Sequence, residues 1–290
     1  MLLELWSSMR PRRWAKNIVM LVGLAFGMSL YDPSALLRIL WAAAVFCLLS
    51  GSGYLINDLV DRKFDRLHPI KRHRALAAGR LSTRLALATA LMIAAICVVA
   101  AWPLGPRFFI AALGFWLLQV AYSLVLSRLV VLDLFAMAGL LLLRVTAGAW
   151  AVPVPVSRWL MVCTMLLGLL LAMGTRRHEL LEKVRLGGDG HKPVLCEYSP
   201  YLMDQMIAVV TSATLLVYVL YTQSAETLAK FNTRSLVLST PFVLHGIFRY
   251  LYLVHRRQGE LSPERLILGD RPFQLTLLGY AICVGVILYF

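Results

Sequence analysis

The chain has 290 residues, 60% of them apolar and only 15% charged, and its mean hydropathy is +0.74. A soluble protein runs at about 45–50% apolar and 25% charged, so this composition excludes an ordinary soluble enzyme and points to an integral membrane protein. The formal charge of +14 raises nucleic acid as a partner, but the basic residues fall between apolar runs rather than on one solvated face; no nucleic acid is expected, and anionic headgroups or substrates fit better.

The first residues, MLLELWSSMRPRRWAKN, lack the basic start, short apolar core and small-residue cleavage site of a signal peptide. They read as an amphipathic helix lying on the membrane ahead of an uncleaved span. A bilayer core about 30 Å thick needs about 20 mostly apolar helical residues. Nine runs qualify, with approximate limits 17–32, 35–56, 83–103, 107–126, 130–150, 158–175, 203–223, 235–254 and 273–290. The expected fold class is all-α, a polytopic bundle of about nine transmembrane helices. No repeat, low-complexity tract or linker divides it, so residues 1–290 are expected to form one membrane-embedded domain.

Lys and Arg concentrate in cytoplasmic loops. With the N-terminus inside, that side collects Arg10, Arg12, Arg13 and Lys16, the run from Arg62 to Arg84, then Arg128. It also collects Arg176, Arg177, Lys183, Arg185 and Lys192, and finally Arg249, Arg256, Arg257, Arg265 and Arg271. The other side keeps only Arg38, Arg107, Arg158, Lys230 and Arg234, and Arg144 is left inside a span. Two inner connections, about 57–82 and about 176–202, are long, and long ordered loops in compact proteins are usually functional. The working surface is therefore expected on the cytoplasmic side of the plasma (inner) membrane. Cys47, Cys97, Cys163, Cys196 and Cys283 show neither a CxxC pair nor zinc spacing and read as small packing residues without a disulfide.

The stretch after the second span is NDLVDRKFDRLHPIKRHRALAAG, Asn57 to Gly79. If the helix continues past Ile56, Asn57, Asp61 and Asp65 stand at i, i+4 and i+8 on one face, with Asp58 beside them. Crowded carboxylates repel one another unless a cation sits among them. Hard oxygen ligands at this spacing suit Mg2+, which keeps several waters and completes its octahedron with phosphate oxygens. A solvated helix cap with surface ion pairs is the common alternative for such a cluster. Lys71, Arg72 and Arg74 follow in the same connection, however, so one loop offers metal ligands and phosphate partners together.

These residues carry a resemblance. NDLVDRKFD resembles the first aspartate-rich motif, NDxxDxxxD, of the UbiA superfamily of intramembrane prenyltransferases. RPRRWAKN, HPIKRHRALAAG, YSLVLSRLVVLDLFAMAGLLLLRVTAG, TRRHELLE, HKPVLCEYS and GDRPF look more narrowly like the decaprenyl-phosphate phosphoribosyltransferases of that superfamily. Members that use an isoprenyl diphosphate usually carry a second aspartate-rich motif after the sixth span. Here the position reads GTRRHELLE, with Arg176, Arg177 and the single carboxylate Glu179 nearby; paired guanidiniums suit additional phosphate oxygens rather than a second cation.

The resemblance implies transfer of 5-phosphoribose from phosphoribosyl pyrophosphate to a polyprenyl phosphate, with release of pyrophosphate, and a place in cell-envelope biosynthesis. It makes Asp58, Asp61 and Asp65 the catalytic carboxylates, holding Mg2+ together with Asn57. Lys71, Arg72, Arg74, Arg176 and Arg177 would gather phosphates, with Glu179 beside them and the polyprenyl chain among membrane lipids. Lys16, Asn17, Tyr122, Arg128 and Arg144 are further candidates for substrate contact. For Lys16 and Asn17 headgroup binding competes, for Tyr122 interfacial anchoring, and for Arg144 a structural bond to a carbonyl. His68, His73, His178 and His191 do not pair at metal-ligand spacing and read as solvated loop residues. The chain departs from the family pattern at Ser127 and Thr175, where lysines are usual, and at Ala75, where a proline is usual. A conventional UbiA prenyltransferase with an aromatic or other acceptor is the alternative; a transporter would spread its charges through the bundle instead.

Overall fold

The computed structural model describes residues 2–27, 31–186, 193–256 and 269–289. His191, Lys192, Arg257 and Arg265, together with residues 28–30 of the first expected span, lie outside them. Among the described residues no strand forms, and eight helices are long and apolar enough to cross a membrane. They are built on α1 (Pro33–Val60), α2 (Thr83–Ala101, extended by a 3₁₀ turn to Leu104), α3 (Pro106–Leu124), α4 (Leu132–Ala151), α5 (Arg158–Leu186), α6 (Pro200–Gln223), α7 (Thr240–Arg256, preceded by the 3₁₀ turn Ser235–Ser239) and α8 (Arg271–Tyr289). The chain divides into two compact units, Met1–Val156 with Leu186–Glu197, and Ser157–Arg185 with Tyr198–Phe290.

The first expected span differs from a simple crossing helix. A 3₁₀ helix over Pro11–Met20 is followed by a short α-helix, Leu21–Phe26. Ahead of it, the amphipathic segment is a separate helix, Leu2–Ser8, with Leu2, Leu3 and Trp6 exposed. The break falls at Arg10, whose φ of 53° lies in the left-handed region immediately before Pro11. Proline cannot continue a preceding helix, and a non-glycine residue held there is strained.

The remaining boundaries follow local chemistry. Asp32 caps α1, accepting a hydrogen bond from the Ser34 N–H at 2.8 Å, with Pro33 at the first helical position. Ser82 caps α2 and Ser199 caps α6 in the same way. Along α2, Ala86, Ala90, Ala94, Cys97 and Ala101 are buried at helical spacing, and small residues let two helix backbones approach closely. Phe46 of α1 packs against Phe108 and Phe115 of α3 at the centre of the first unit. The Trp116 indole N–H donates to the Ser52 hydroxyl, which donates to the Ala90 carbonyl, so a polar staple joins α1, α2 and α3 inside the apolar core.

In the second unit α5 runs on to Leu186, past the expected limit at 175. Arg176, Arg177 and Glu179 therefore stand on a helix rather than in a loop. Thr175 to Leu186 contains mostly good helix formers, and polarity ends the apolar run without ending the helix. Arg249 of α7 grips Asp270 bidentately at 3.0 and 2.7 Å, and Asp270 also accepts from the Phe273 N–H at the start of α8.

Candidate active site

Helix α1 ends at Val60, Asp61 forms a turn, and a short helix resumes over Arg62–Leu67. The i to i+4 ladder survives the break, since the Asp61 N–H reaches the Asn57 carbonyl at 2.9 Å and the Asp65 N–H reaches that of Asp61 at 2.8 Å. Asn57, Asp61 and Asp65 thus keep the common face expected of a continuous helix. Asn57 donates to the Asp61 carboxylate at 3.1 Å.

Asp58 and Asp65 are only 3% and 4% exposed. Buried charges must be paired, and two arginines supply the pairing. Arg10 donates to Asp58, while Arg74 bridges Asp58 at 3.2 Å and Asp65 at 2.6 Å. Burial raises the Asp65 pKa above the ordinary carboxylate range, Arg74 opposes that rise, and the charges of Asp58 and Asp61 add to it. For Arg10 burial acts in the opposite direction, lowering the guanidinium below its ordinary value, while Asp58 pulls it back up. Its side chain also lies over the Tyr54 ring, as does that of Arg13.

The basic connection is folded onto this helix end. Arg62 donates to the Leu76 carbonyl and Arg66 to that of Ala77. His68, expected to be solvated, is fully buried, and its Nδ1 accepts from the N–H groups of Ile70 and Lys71 at 3.2 and 3.3 Å. It shapes the turn that presents Lys71 and Arg72. Arg72 lies against His73 and is exposed, Lys71 is half-exposed, and neither forms an ion pair among the described residues.

The other candidates in this unit stand elsewhere. Asn17 is buried, donates to the Cys47 sulfur at 3.2 Å and accepts from Arg144 Nε at 2.8 Å. Arg144 also donates to the Leu140 carbonyl and places its guanidinium 4.6 Å from the centre of the Phe115 ring. Cys47 precedes Asp58 by eleven residues on α1, about 16 Å at 1.5 Å per residue. The contact between Arg144 and Asn17 therefore lies inside the bundle, away from the aspartates along α1. Tyr122 lies half-buried near the C-terminal end of α3, Arg128 is exposed just beyond it, and Lys16 is half-exposed on the 3₁₀ segment.

In the second unit Arg176 is 1% exposed and donates to Glu179. Arg177 is committed to Asp204, at 2.6 and 3.4 Å, and to the Val254 carbonyl. Asp204 also meets His255 at 3.2 Å. Thr175 turns its hydroxyl back to the Leu171 carbonyl.

Asn57 and the three aspartates are hard-oxygen side chains, the type of ligand Mg2+ takes, and at this helix end Asp58 and Asp65 have arginine partners. Among the described residues no three His, Cys, Asp or Glu side chains converge closely enough to enclose a metal. Sequence reasoning missed Arg10 as a site residue, because its partner lies 48 positions away. Two buried polar residues were also not singled out: Asp133, fully buried at the start of α4, and Gln119, whose Oε1 is buried beside Gly53 without a hydrogen-bond partner among the described residues. A lone acid or amide inside an apolar run was the available signal for both.

A model of the UbiA prenyltransferase family matches residues 17–278. The decaprenyl-phosphate phosphoribosyltransferase of Mycolicibacterium smegmatis is 30% identical to this chain over 298 residues, covering 98% of it and 92% of the relative. The protein of that name from Mycobacterium tuberculosis H37Rv is 30% identical over 284 residues, with coverages of 96% and 92%. A solved structure, a UbiA homolog from Archaeoglobus fulgidus bound to GPP and Mg2+, matches with a TM-score of 0.76, covering 99% of this chain and 100% of the other. At 18% identity that likeness is one of fold.

Proposed function

We propose, from the premise that the chain belongs to the UbiA prenyltransferase family and is a transferase, that it moves 5-phosphoribose from phosphoribosyl pyrophosphate to a polyprenyl phosphate. The observation that carries this reading is the second motif position, which holds two buried arginines, Arg176 and Arg177, where a donor-binding aspartate cluster would otherwise stand. The near full-length relatives named for that activity support it.

In the proposed reaction the bond from the ribose anomeric carbon to the pyrophosphate oxygen breaks, pyrophosphate leaves with the electron pair, and an oxygen of the acceptor phosphate bonds to that carbon. The acceptor is already an anion, so no general base is required. Asn57, Asp58, Asp61 and Asp65 would hold Mg2+, which supplies neutralising charge for the leaving diphosphate. Arg10 and Arg74 pair with Asp58 and Asp65 in a buried setting and hold them at this helix end. Lys71 and Arg72 are the cations best placed to meet phosphate oxygens, because neither is held by a carboxylate among the described residues. In the second unit, Arg176, paired with Glu179, and Arg177, paired with Asp204, are the guanidiniums that the reading assigns to phosphate oxygens. The whole chain, residues 1–290, works as one membrane-embedded domain, its aspartate loop on the cytoplasmic side and the polyprenyl tail among membrane lipids.

The test uses the full chain in nanodiscs with Mg2+, polyprenyl phosphate and phosphoribosyl pyrophosphate labelled in the ribose. Label enters the lipid phase with the parent protein and not with Asp61→Ala. No transfer by the parent, with prenylation of an aromatic acceptor from an isoprenyl diphosphate in a parallel tube, overturns the reading.

A further inference from the structure

The end of the first unit opposite the aspartates contains a cavity of about 410 Å³ whose lining includes Arg38, Arg107, Leu104, Trp150, Pro153 and Val154. Among the described residues no carboxylate lines it. Arg38 is half-buried and held rigidly, with Nε donating to the Ala151 carbonyl at 2.7 Å and Nη2 to the Leu104 carbonyl at 3.2 Å. One guanidinium thereby joins the ends of α1, α2 and α4. Arg107, in the first turn of α3, is exposed and makes no hydrogen bond or ion pair with any described residue. The N-terminus of α3 opens at Gly105 without a side-chain cap, adding the partial positive charge of a helix start.

Twenty residues of α1 separate Arg38 from Asp58, about 30 Å at 1.5 Å per residue and so the thickness of a hydrocarbon core. Trp41 and Trp102 are exposed at the same end, as expected of side chains at headgroup depth. This side of the chain is poor in basic residues, yet two of its few converge on one concave, carboxylate-free site.

We propose that this cavity binds a phosphate group, of the kind carried by an anionic phospholipid headgroup or by free phosphate, on the membrane face opposite the aspartate loop. Arg38 and Arg107 supply planar, permanently charged donors that match phosphate oxygens. The cavity lies within the usual size range of small-ligand sites, about 300–1,000 Å³.

The test is native mass spectrometry of the full chain in detergent, titrated separately with phosphatidylglycerol and with inorganic phosphate. Arg107→Gln, Arg107→Glu and the control Arg158→Gln, an exposed arginine outside the cavity, are compared with the parent. Arg107 has no contact whose loss would unfold the protein, and all four proteins keep an identical aspartate loop, so phosphate bound there is common background. Retention about tenfold weaker in Arg107→Gln, weaker still in Arg107→Glu and unchanged in Arg158→Gln is expected. If the effect appears with phosphatidylglycerol and phosphate competes, the source is lipid; if it appears with phosphate alone, the source is the free ion. Undiminished retention of both probes in the two Arg107 variants overturns the proposal.

Discussion

Arg74 holds two buried carboxylates of one helix end, and that contact has a consequence that pH exposes. Asp65 has a raised pKa because burial outweighs the help from Arg74. A carboxyl whose folded pKa lies above its unfolded value stabilises the fold most below the unfolded pKa, and that contribution is lost as pH rises through the folded one. Removing the guanidinium raises the folded value further and leaves two charges with less compensation. Arg74→Gln is therefore expected to unfold at lower temperature than the parent near neutral pH and to recover part of the deficit as pH falls toward the ordinary carboxylate range. The parent should change less over the same interval. A deficit that stays constant or grows on acidification would show that Arg74 does not govern the ionisation of Asp65. The aspartates themselves were legible because their spacing repeats the helix period. Arg10 was not, since its reach to Asp58 depends on a left-handed residue breaking the N-terminal segment, and nothing in local composition announces that turn.

Between elements, the N-terminal segment and α4 approach each other backbone to backbone. A methyl group at Gly148 would drive into the Met20 carbonyl oxygen, and one at Gly23 would lie 2.6 Å from the Ala149 nitrogen. Neither obstacle is a flexible side chain, so the backbones themselves must separate. Gly148→Val is expected to lower the unfolding midpoint by the equivalent of about 1–3 kcal/mol. Gly114→Ala is a control in α3, where a methyl meets nothing within 4 Å, and it should match or exceed the parent. Equal midpoints for Gly148→Val and the parent, measured by thermal denaturation in one detergent, would show that this crossing is loose. Hydropathy located α1 to α4 and α6 to α8 because each carries an apolar run of spanning length. It misplaced the end of α5, where charged residues with high helix propensity continue the helix into water. It also treated the N-terminal segment as an ordinary span, although Pro11, Gly23 and Gly27 favour a short, broken element whose packing depends on α4.

At the scale of the whole molecule the charge asymmetry predicts an orientation for the bundle, and the cysteines provide a readout that tests it. Eight apolar helices and the family match make this an integral, multi-pass membrane protein; the side that bears the aspartate loop follows from the distribution of Lys and Arg alone. Cys196 is exposed in the 3₁₀ turn Pro193–Cys196 of the first unit, on the connection that the charge rule puts inside. Cys47, Cys97, Cys163 and Cys283 lie within spanning helices and are buried or half-buried, where a charged reagent does not follow. A membrane-impermeant maleimide is therefore expected to label inside-out vesicles at one position, to leave intact cells unlabelled, and to lose its signal in Cys196→Ser. Labelling of intact cells that disappears in Cys196→Ser would reverse the orientation and place the aspartates outside, away from any cytoplasmic supply of phosphoribosyl pyrophosphate. The same reversal would bring the Arg38 and Arg107 cavity to the inner leaflet, so this one measurement fixes the sidedness of both sites.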